Sequence, residues 1–270
     1  MPFGPVALFG SGETSRAGRQ VHERLFQRLP QPVRVAILET PAGFQPNAGL
    51  VAAKIRDFLV EHLQNYHPVV RFVPARRRDG VYNPDAPLVV EPIDWADYLF
   101  AGPGSPTYMI RCLTGTQTLA RLRERWAAGA TLAFASAAAI AVGRYALPVY
   151  EIYKVGADLY WADGLDILGA LGLRLAIMPH WNNREGGAEL DTSHCFMGVE
   201  RFRYLRCMLP SDTVILGIDE QTACILDPQS GQVTVHGLGQ VTLLTQDSER
   251  TIPHGQAFPL AWLRADPVLP

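Results

Sequence analysis

Two periods alternate along the chain. Short apolar runs, "VALF", "VRVAIL", "VVRFV", "DYLF" and "TLAFA", each meet a glycine, proline or serine within three residues, as buried strands do. Between them lie segments with charges at helical spacing. "RAGRQVHERLFQRL" predicts one helix. "AGLVAAKIRDFLVEHL" predicts another, because Val51, Ile55, Phe58, Leu59 and Leu63 recur on one helical face behind Asn47, a suitable N-cap. "TYMIRCL" and "TLARLRERWAAG" predict two more helices ahead of the strand "TLAFA".

Parallel strands need crossover connections, so this alternation predicts a three-layer α/β sandwich with a mostly parallel central sheet. The pattern then changes. "TACILDPQSGQVTVHGLGQVTLL" alternates β-branched residues around a turn, predicting antiparallel strands added near the C-terminus. No repeat, low-complexity tract or linker interrupts the 270 residues, and a single α/β domain over 1–270 is expected.

Charge narrows the partners. With 24 basic and 26 acidic residues, the net charge of −2 provides no positive field for nucleic acid or an anionic membrane surface. The one dense basic run, Arg76 to Arg78 before Asp79-Gly80, reads as a solvated loop. No stretch approaches the roughly 20 apolar residues of a membrane span, and "MPFGPVALFGSG" lacks a basic leader. The four cysteines, Cys112, Cys195, Cys207 and Cys224, form no C-x-x-C pair and lie beside apolar residues, as buried free thiols in a reduced compartment would. A cytoplasmic protein is expected. An amphipathic helix face serves a homodimer as readily as a core, and a homodimer is kept as the assembly to test.

In such a sheet, ligands gather at the carboxyl ends of the strands. Those ends carry Gly10-Ser11-Gly12, Glu39-Thr40, Gly102 to Ser105, Ser136, His180 and Asp219-Glu220. A serine hydroxyl attacks a carbonyl only when a base takes its proton and donors polarise the carbonyl. His180 in "LAIMPHWNN" is the candidate base. Asp219 or Glu220 in "VILGIDEQTACIL" is the candidate orienting carboxylate; adjacent strand residues face opposite ways, so only one can meet the histidine. Backbone N–H groups of Ala137 and of Gly104 or Ser105 are candidate oxyanion donors. Taken singly, Ser136 reads as an N-cap and His180 as a structural histidine; it is their shared position at strand ends that suggests chemistry.

Asn182, Asn183, Lys154, Ser105 and Arg201 are candidate substrate contacts, with Arg184 and Glu185 suited to the charged ends of a peptide. His194-Cys195 lacks a second close ligand pair, and neither a metal nor a cofactor is required by the proposed chemistry.

Five segments, "FGSGE", "FAGPGSP", "AFASAAA", "PHW" and above all "GIDEQTA", resemble the serine peptidases that include aspartyl dipeptidase (peptidase E) and cyanophycinase. That family shares a class I glutamine-amidotransferase-like α/β fold. The resemblance implies a Ser-His-Glu catalytic triad at Ser136, His180 and Glu220, a small peptide substrate and hydrolysis of its amide bond. It also implies a substrate-side arginine, for which Arg201 is the counterpart. Phe134 and Ala138 stand where the family's G-x-S-A-G motif has glycines, and "GPGSP" replaces its G-G-N/D-Q type of loop. "MPHWNNREGG" lacks most of the arginine pattern of cyanophycinase, so a peptidase is expected rather than a cyanophycinase.

Two other readings stay open. If Phe134 buries the serine, the chain is a binding protein without catalysis on the same fold. "ALFGSGETS", with Glu39 ending the next strand, is a partial dinucleotide fingerprint in which Ser15 replaces the third glycine, and would suit a nucleotide-binding α/β protein.

Overall fold

Alternation within the first strand sets the layering. In β1 (Val6–Phe9), Val6 and Leu8 join one buried cluster while Ala7 and Phe9 join another on the opposite face. The structure, a computed structural model, describes residues 3–264. From β1 the chain runs through α1 (Arg16–Phe26), β2 (Arg34–Leu38), α2 (Ala48–His62), β3 (Val69–Val73), α3 (Pro87–Trp95) and β4 (Tyr98–Ala101). It continues through α4 (Pro106–Leu113), α5 (Gln117–Ala127), β5 (Thr131–Ala135) and α6 (Ala137–Ala141). Next come β6 (Tyr145–Ala146), α7 (Val149–Tyr153), β7 (Ala162–Asp163), β8 (Leu175–Met178), α8 (Ser193–Phe196) and α9 (Gly198–Met208). The last strands are β9 (Val214–Ile218), β10 (Thr222–Asp227), β11 (Gln232–Gly237), β12 (Gln240–Leu244), β13 (Glu249–Pro253) and β14 (Ala257–Pro259).

The eight-stranded central sheet has the order β14-β11-β10-β1-β5-β4-β2-β3. Strands β1, β5, β4, β2 and β3 are parallel, and β10, β11 and β14 add antiparallel at one side. This is the mixed α/β architecture the alternation predicts. One feature differs: β8 and β9, which precede the candidate histidine and carboxylate, belong to a second, six-stranded sheet ordered β13-β12-β9-β8-β6-β7.

The two sheets meet where β9 turns into β10. Gly10 makes the meeting sterically possible, since a Cβ there would lie 2.1 Å from the carbonyl oxygen of Asp219. Its N–H donates to the Thr222 carbonyl at 2.8 Å, and its own carbonyl accepts from the His180 N–H at 3.2 Å. The end of β1 thereby ties the second sheet to the first.

Each face of the central sheet is covered by a different layer. Ala7, Phe9, Ile37, Phe100 and Ala135 pack against Val21, Leu25, Ile55 and Leu59 of α1 and α2. On the other face, Leu8, Leu38, Leu99 and Phe134 meet Ile93, Leu122 and Trp126 of α3 and α5, and also Ile177 and Leu216 of the second sheet. The far side of that second sheet, with Met178 and Ile215, packs on Phe202 and Leu205 of α9. Burial of these apolar faces supplies the main drive for the layering.

Several local expectations change. Ile55, Leu59 and Leu63 are buried as the stripe predicts, but Val51 and Phe58 are only half-buried, because α2 turns its small Ala48 and Ala52 inward. Asn47 precedes the helix yet makes no side-chain cap. Helix α3 has no counterpart in the sequence pattern, since Pro92 interrupts its period; Pro87 in the first turn suits a helix start. Cys112, Cys195 and Cys224 are buried free thiols, whereas Cys207 is exposed on α9. The basic run is not simply solvated: the Arg76 Nε lies 2.5 Å from the buried Glu39 carboxylate, and Arg78 donates to the carbonyls of Arg111 and Thr114. Among the described residues, no helix is long and apolar enough to cross a membrane.

One buried polar group makes stability depend on pH. His22 is 1% exposed; its Nε2 meets the Glu13 carbonyl at 3.0 Å and its Nδ1 meets the Tyr98 hydroxyl at 2.6 Å. A carbonyl only accepts, so Nε2 carries the proton and Tyr98 donates to Nδ1. Burial pushes the imidazole pKa down to about 4 from 6.5, against a smaller raising effect of the Glu13 carbonyl. Between those values the unfolded chain binds a proton that the folded chain refuses. The contribution of His22 to stability is therefore complete above pH 6.5 and falls as pH drops towards about 4. Urea unfolding at pH 7 and pH 4.5 should show wild type losing about 2–3 kcal/mol more than His22→Gln across that interval. Equal losses would mean the imidazole titrates normally.

Candidate active site

Ser136 occupies the junction between β5, buried along its whole length, and α6, whose residues are alanine except for Ile140. Small side chains let that helix lie against the end of the sheet. The serine is held at φ 51° and ψ −115°, a conformation a residue with a Cβ adopts only when its surroundings impose it. Its N–H donates to the Phe9 carbonyl at 3.2 Å, and its hydroxyl makes no helix-capping bond. The Oγ instead lies 2.9 Å from His180 Nε2. Phe134 is 1% exposed, points into the core between the two sheets and leaves Ser136 half-buried rather than covered.

His180 is also left-handed, at φ 52°. Its carbonyl accepts from the N–H groups of Asn183 and Cys195, each at 3.2 Å, and the Phe196 ring stands 5.5 Å from the imidazole. The Nδ1 meets Glu220 Oε1 at 2.9 Å. A carboxylate accepts at Nδ1–H, which leaves Nε2 of the neutral ring free to accept the serine proton.

The carboxylate is itself supported. Asn183 Nδ2 donates to Glu220 Oε1 at 2.8 Å, and Asn182 Oδ1 accepts from the Glu220 N–H at 2.8 Å. Partial burial pushes the Glu220 carboxyl up, but the bonds from His180 and Asn183 and the histidine's charge outweigh it, so the group sits below its ordinary value. Asp219 turns away. Its Oδ2 accepts from the Gln240 N–H at 3.1 Å, and burial raises its carboxyl. Gln221, at φ 51°, makes the tight turn that separates the two acids, with Ser11 Oγ accepting from its N–H at 3.0 Å.

Ser136 and His180 line a cavity of about 390 Å³ together with Gly104, Ala137, Tyr150, Lys154 and Glu185. Gly104 stands at φ 151°, where a Cβ would lie 2.0 Å from the Pro41 carbonyl oxygen, so the loop admits only glycine. Ala137 opens α6, where an N–H has no acceptor within its helix. Ser105 is committed elsewhere: its N–H donates to the Pro41 carbonyl at 2.8 Å, and its Oγ caps α4 by accepting from the Tyr108 N–H at 3.2 Å.

The expected substrate contacts thus divide. Lys154 and Glu185 line the cavity. Asn183 is 1% exposed and its amide donates to the Glu220 carboxylate, whereas Asn182 is exposed and its side-chain oxygen accepts from the Glu220 backbone N–H. Arg201 is exposed on α9 and is not among the lining residues. Tyr150 and Tyr153 join the cavity from the aromatic segment of α7, and Phe196 joins it without any signal in the sequence, since residues 194 to 196 form a run of three left-handed conformations, with φ of 53°, 59° and 68°. Glu13, after the first strand, is a further carboxyl beside the site: burial raises it, opposed by its own backbone and by the charge of His180. His194 stacks on Phe202 at 4.4 Å and meets Trp181 edge-on at 4.3 Å, a packing role. Glu39 is held by Arg76, which leaves the dinucleotide pattern without its ribose-binding acid.

No protein-family model matches the chain, and no curated protein matches its sequence. Solved structures do match. A crystal structure of a peptidase from an acI-B1 Actinobacterium superposes with a TM-score of 0.74 at 21% identity, covering 96% of this chain and 97% of that one. At this identity the likeness is one of fold. A second neighbour is a putative peptidase E protein from Listeria monocytogenes EGD-e, with a TM-score of 0.53 at 13% identity over 93% of this chain and 98% of that one. The resemblance carried by the sequence motifs therefore extends to the course of the backbone.

Proposed function

We propose that the protein is a serine-type hydrolase that cleaves an amide bond in a small peptide. The observation that carries this reading is the unbroken line of hydrogen bonds from Ser136 through His180 to Glu220 at the wall of a cavity. Ser136 Oγ attacks the carbonyl carbon as His180 Nε2 takes its proton; the proton then passes to the departing amine. Glu220 keeps Nδ1 protonated and stabilises the imidazolium that forms. The N–H groups of Gly104 and Ala137 receive the developing oxyanion, a contribution of about 3–4 kcal/mol per donor in comparable sites. A water molecule then releases the acyl group by the same route in reverse.

Strain supports the reading. Ser136 and His180 both hold φ near 50° in residues with side chains, and such conformations gather where function over-determines the backbone. A binding protein without catalysis would not need its serine aligned with a histidine that is itself aligned with a carboxylate. Lys154 and Glu185 offer opposite charges within the cavity, which suits the two ends of a short peptide.

Mass spectrometry of a mixed di- and tripeptide library, incubated with wild type and with Ser136→Ala, tests the proposal. Cleavage of a subset by wild type alone supports it and defines the specificity. Cleavage of nothing by either protein favours the binding-protein reading.

A further inference from the structure

A second cavity, of about 630 Å³, adjoins the first. Tyr150 lines both. The end of the loop between β4 and α4 and the first residues of α4 divide them, with Gly104 and Pro106 on the reaction side and Ser105 and Thr107 on the other. Three aromatic rings, Phe44, Tyr108 and Tyr150, contribute to the second cavity, and Glu151 supplies its carboxylate.

That carboxylate is half satisfied. Its Oε1 accepts from the Thr107 hydroxyl at 2.5 Å, whereas its Oε2 is buried without any hydrogen-bond partner among the described residues. A buried unpaired carboxylate oxygen is costly, and such orphans call for an explanation. Among the described residues, no lysine or arginine pairs with it. Arg111, in the same cavity, is exposed and stacks 4.9 Å over the Tyr108 ring, where solvent screens its charge. Glu151 lines the cavity, and the last torsion of a glutamate is broad, so its carboxylate can reorient towards an arriving cation at little cost.

We propose that this second cavity is a subsite for an ammonium group of the substrate, received by Glu151 between aromatic walls. Carboxylate and ring faces are both attractive to a cation, and the neighbouring reaction cavity places the rest of the peptide at Ser136. The proposal deepens the hydrolase reading and rests on it for the identity of the ligand. The ammonium can belong to the amino terminus or to a lysine side chain.

Calorimetric titration of the Ser136→Ala protein separates these sources and does not depend on turnover. The probes are Ala-Lys and Lys-Ala, their norleucine counterparts, and the N-acetylated forms of all four. The peptide carrying the recognised ammonium should bind about 10- to 100-fold more tightly than its neutral counterpart. Adding Glu151→Gln should erase that preference while the neutral peptides bind as before, which also shows that the variant is folded. Loss on acetylation assigns the amino terminus; loss on replacing lysine by norleucine assigns the side chain.

Equal binding of charged and neutral probes, binding unchanged by Glu151→Gln, or no binding of any probe overturns the subsite. Binding through Glu151 without cleavage by wild type would overturn the hydrolase and keep the subsite. Cleavage by wild type that is indifferent to Glu151→Gln would do the reverse.

Discussion

Ser136→Ala is expected to lower kcat for any cleaved peptide by about 10⁵- to 10⁶-fold, the size of the loss when a hydrolase of this type is deprived of its nucleophile. The Michaelis constant should change little. Alanine removes the attacking atom but keeps the backbone that presents the Gly104 and Ala137 N–H groups and the charges of Lys154 and Glu185. Residual turnover above the uncatalysed rate would come from those oxyanion donors and from substrate positioning. Steady-state kinetics on a peptide found by the library survey measures the effect. A loss of less than about tenfold would mean that another group attacks the carbonyl.

Glu220 should show a graded response. Glu220→Ala is expected to reduce kcat by about 10⁴-fold, comparable to loss of the acid in other triads. The imidazole then loses both the acceptor that fixes its tautomer and the charge that stabilises its protonated form. Glu220→Gln should cost much less, about 10- to 100-fold. Both Asn183 Nδ2 and His180 Nδ1 converge on the same oxygen, Oε1, so a glutamine amide is oriented with its carbonyl towards them. The tautomer survives and only the charge is lost. If glutamine proved as damaging as alanine, the amide would have to be turned with its NH₂ towards the histidine, and the orienting role assigned to Asn183 would fail.

The carboxyl of Glu220 sits below its ordinary value, which gives the arrangement a sign with respect to pH. The group keeps its charge to a lower pH than an ordinary glutamate does. Acid inactivation of a mild kind should not originate there. Folding stability is a separate matter, because His22 already destabilises the protein as pH drops below 6.5.

Much of this arrangement was legible before any coordinates. Strand ends at Phe9, Ala101, Ala135, Met178 and Ile218 follow from apolar runs and their breaks, and each lies within four residues of a site loop or site residue. Motif resemblance selected Glu220 over Asp219, and the fold of peptidase structures agrees with the alternation of strands and helices. The sequence alone does not separate the two roles open to Asn182 and Asn183, because an asparagine after a histidine looks the same whether it faces a ligand or a neighbouring turn. Only the approach of residue 220 to residues 182 and 183 gave them their partner.

Side-chain period and break residues are local properties, written along a few consecutive positions, and these determined most of the strands of the central sheet and the helices α1, α2, α4 and α5 between them. The tertiary structure decided the rest. It assigned β8 and β9 to a second sheet, faced Asp219 towards Gln240, exposed Cys207, and left one oxygen of Glu151 without a partner among the described residues. It also imposed left-handed backbones on Ser136, His180 and Gln221, conformations their own residue types disfavour. Such dihedrals persist only because contacts from distant segments hold them, as the Phe9 carbonyl does for Ser136, the Gly10 carbonyl for His180 and the Ser11 hydroxyl for Gln221. No local propensity can encode a geometry that local forces oppose.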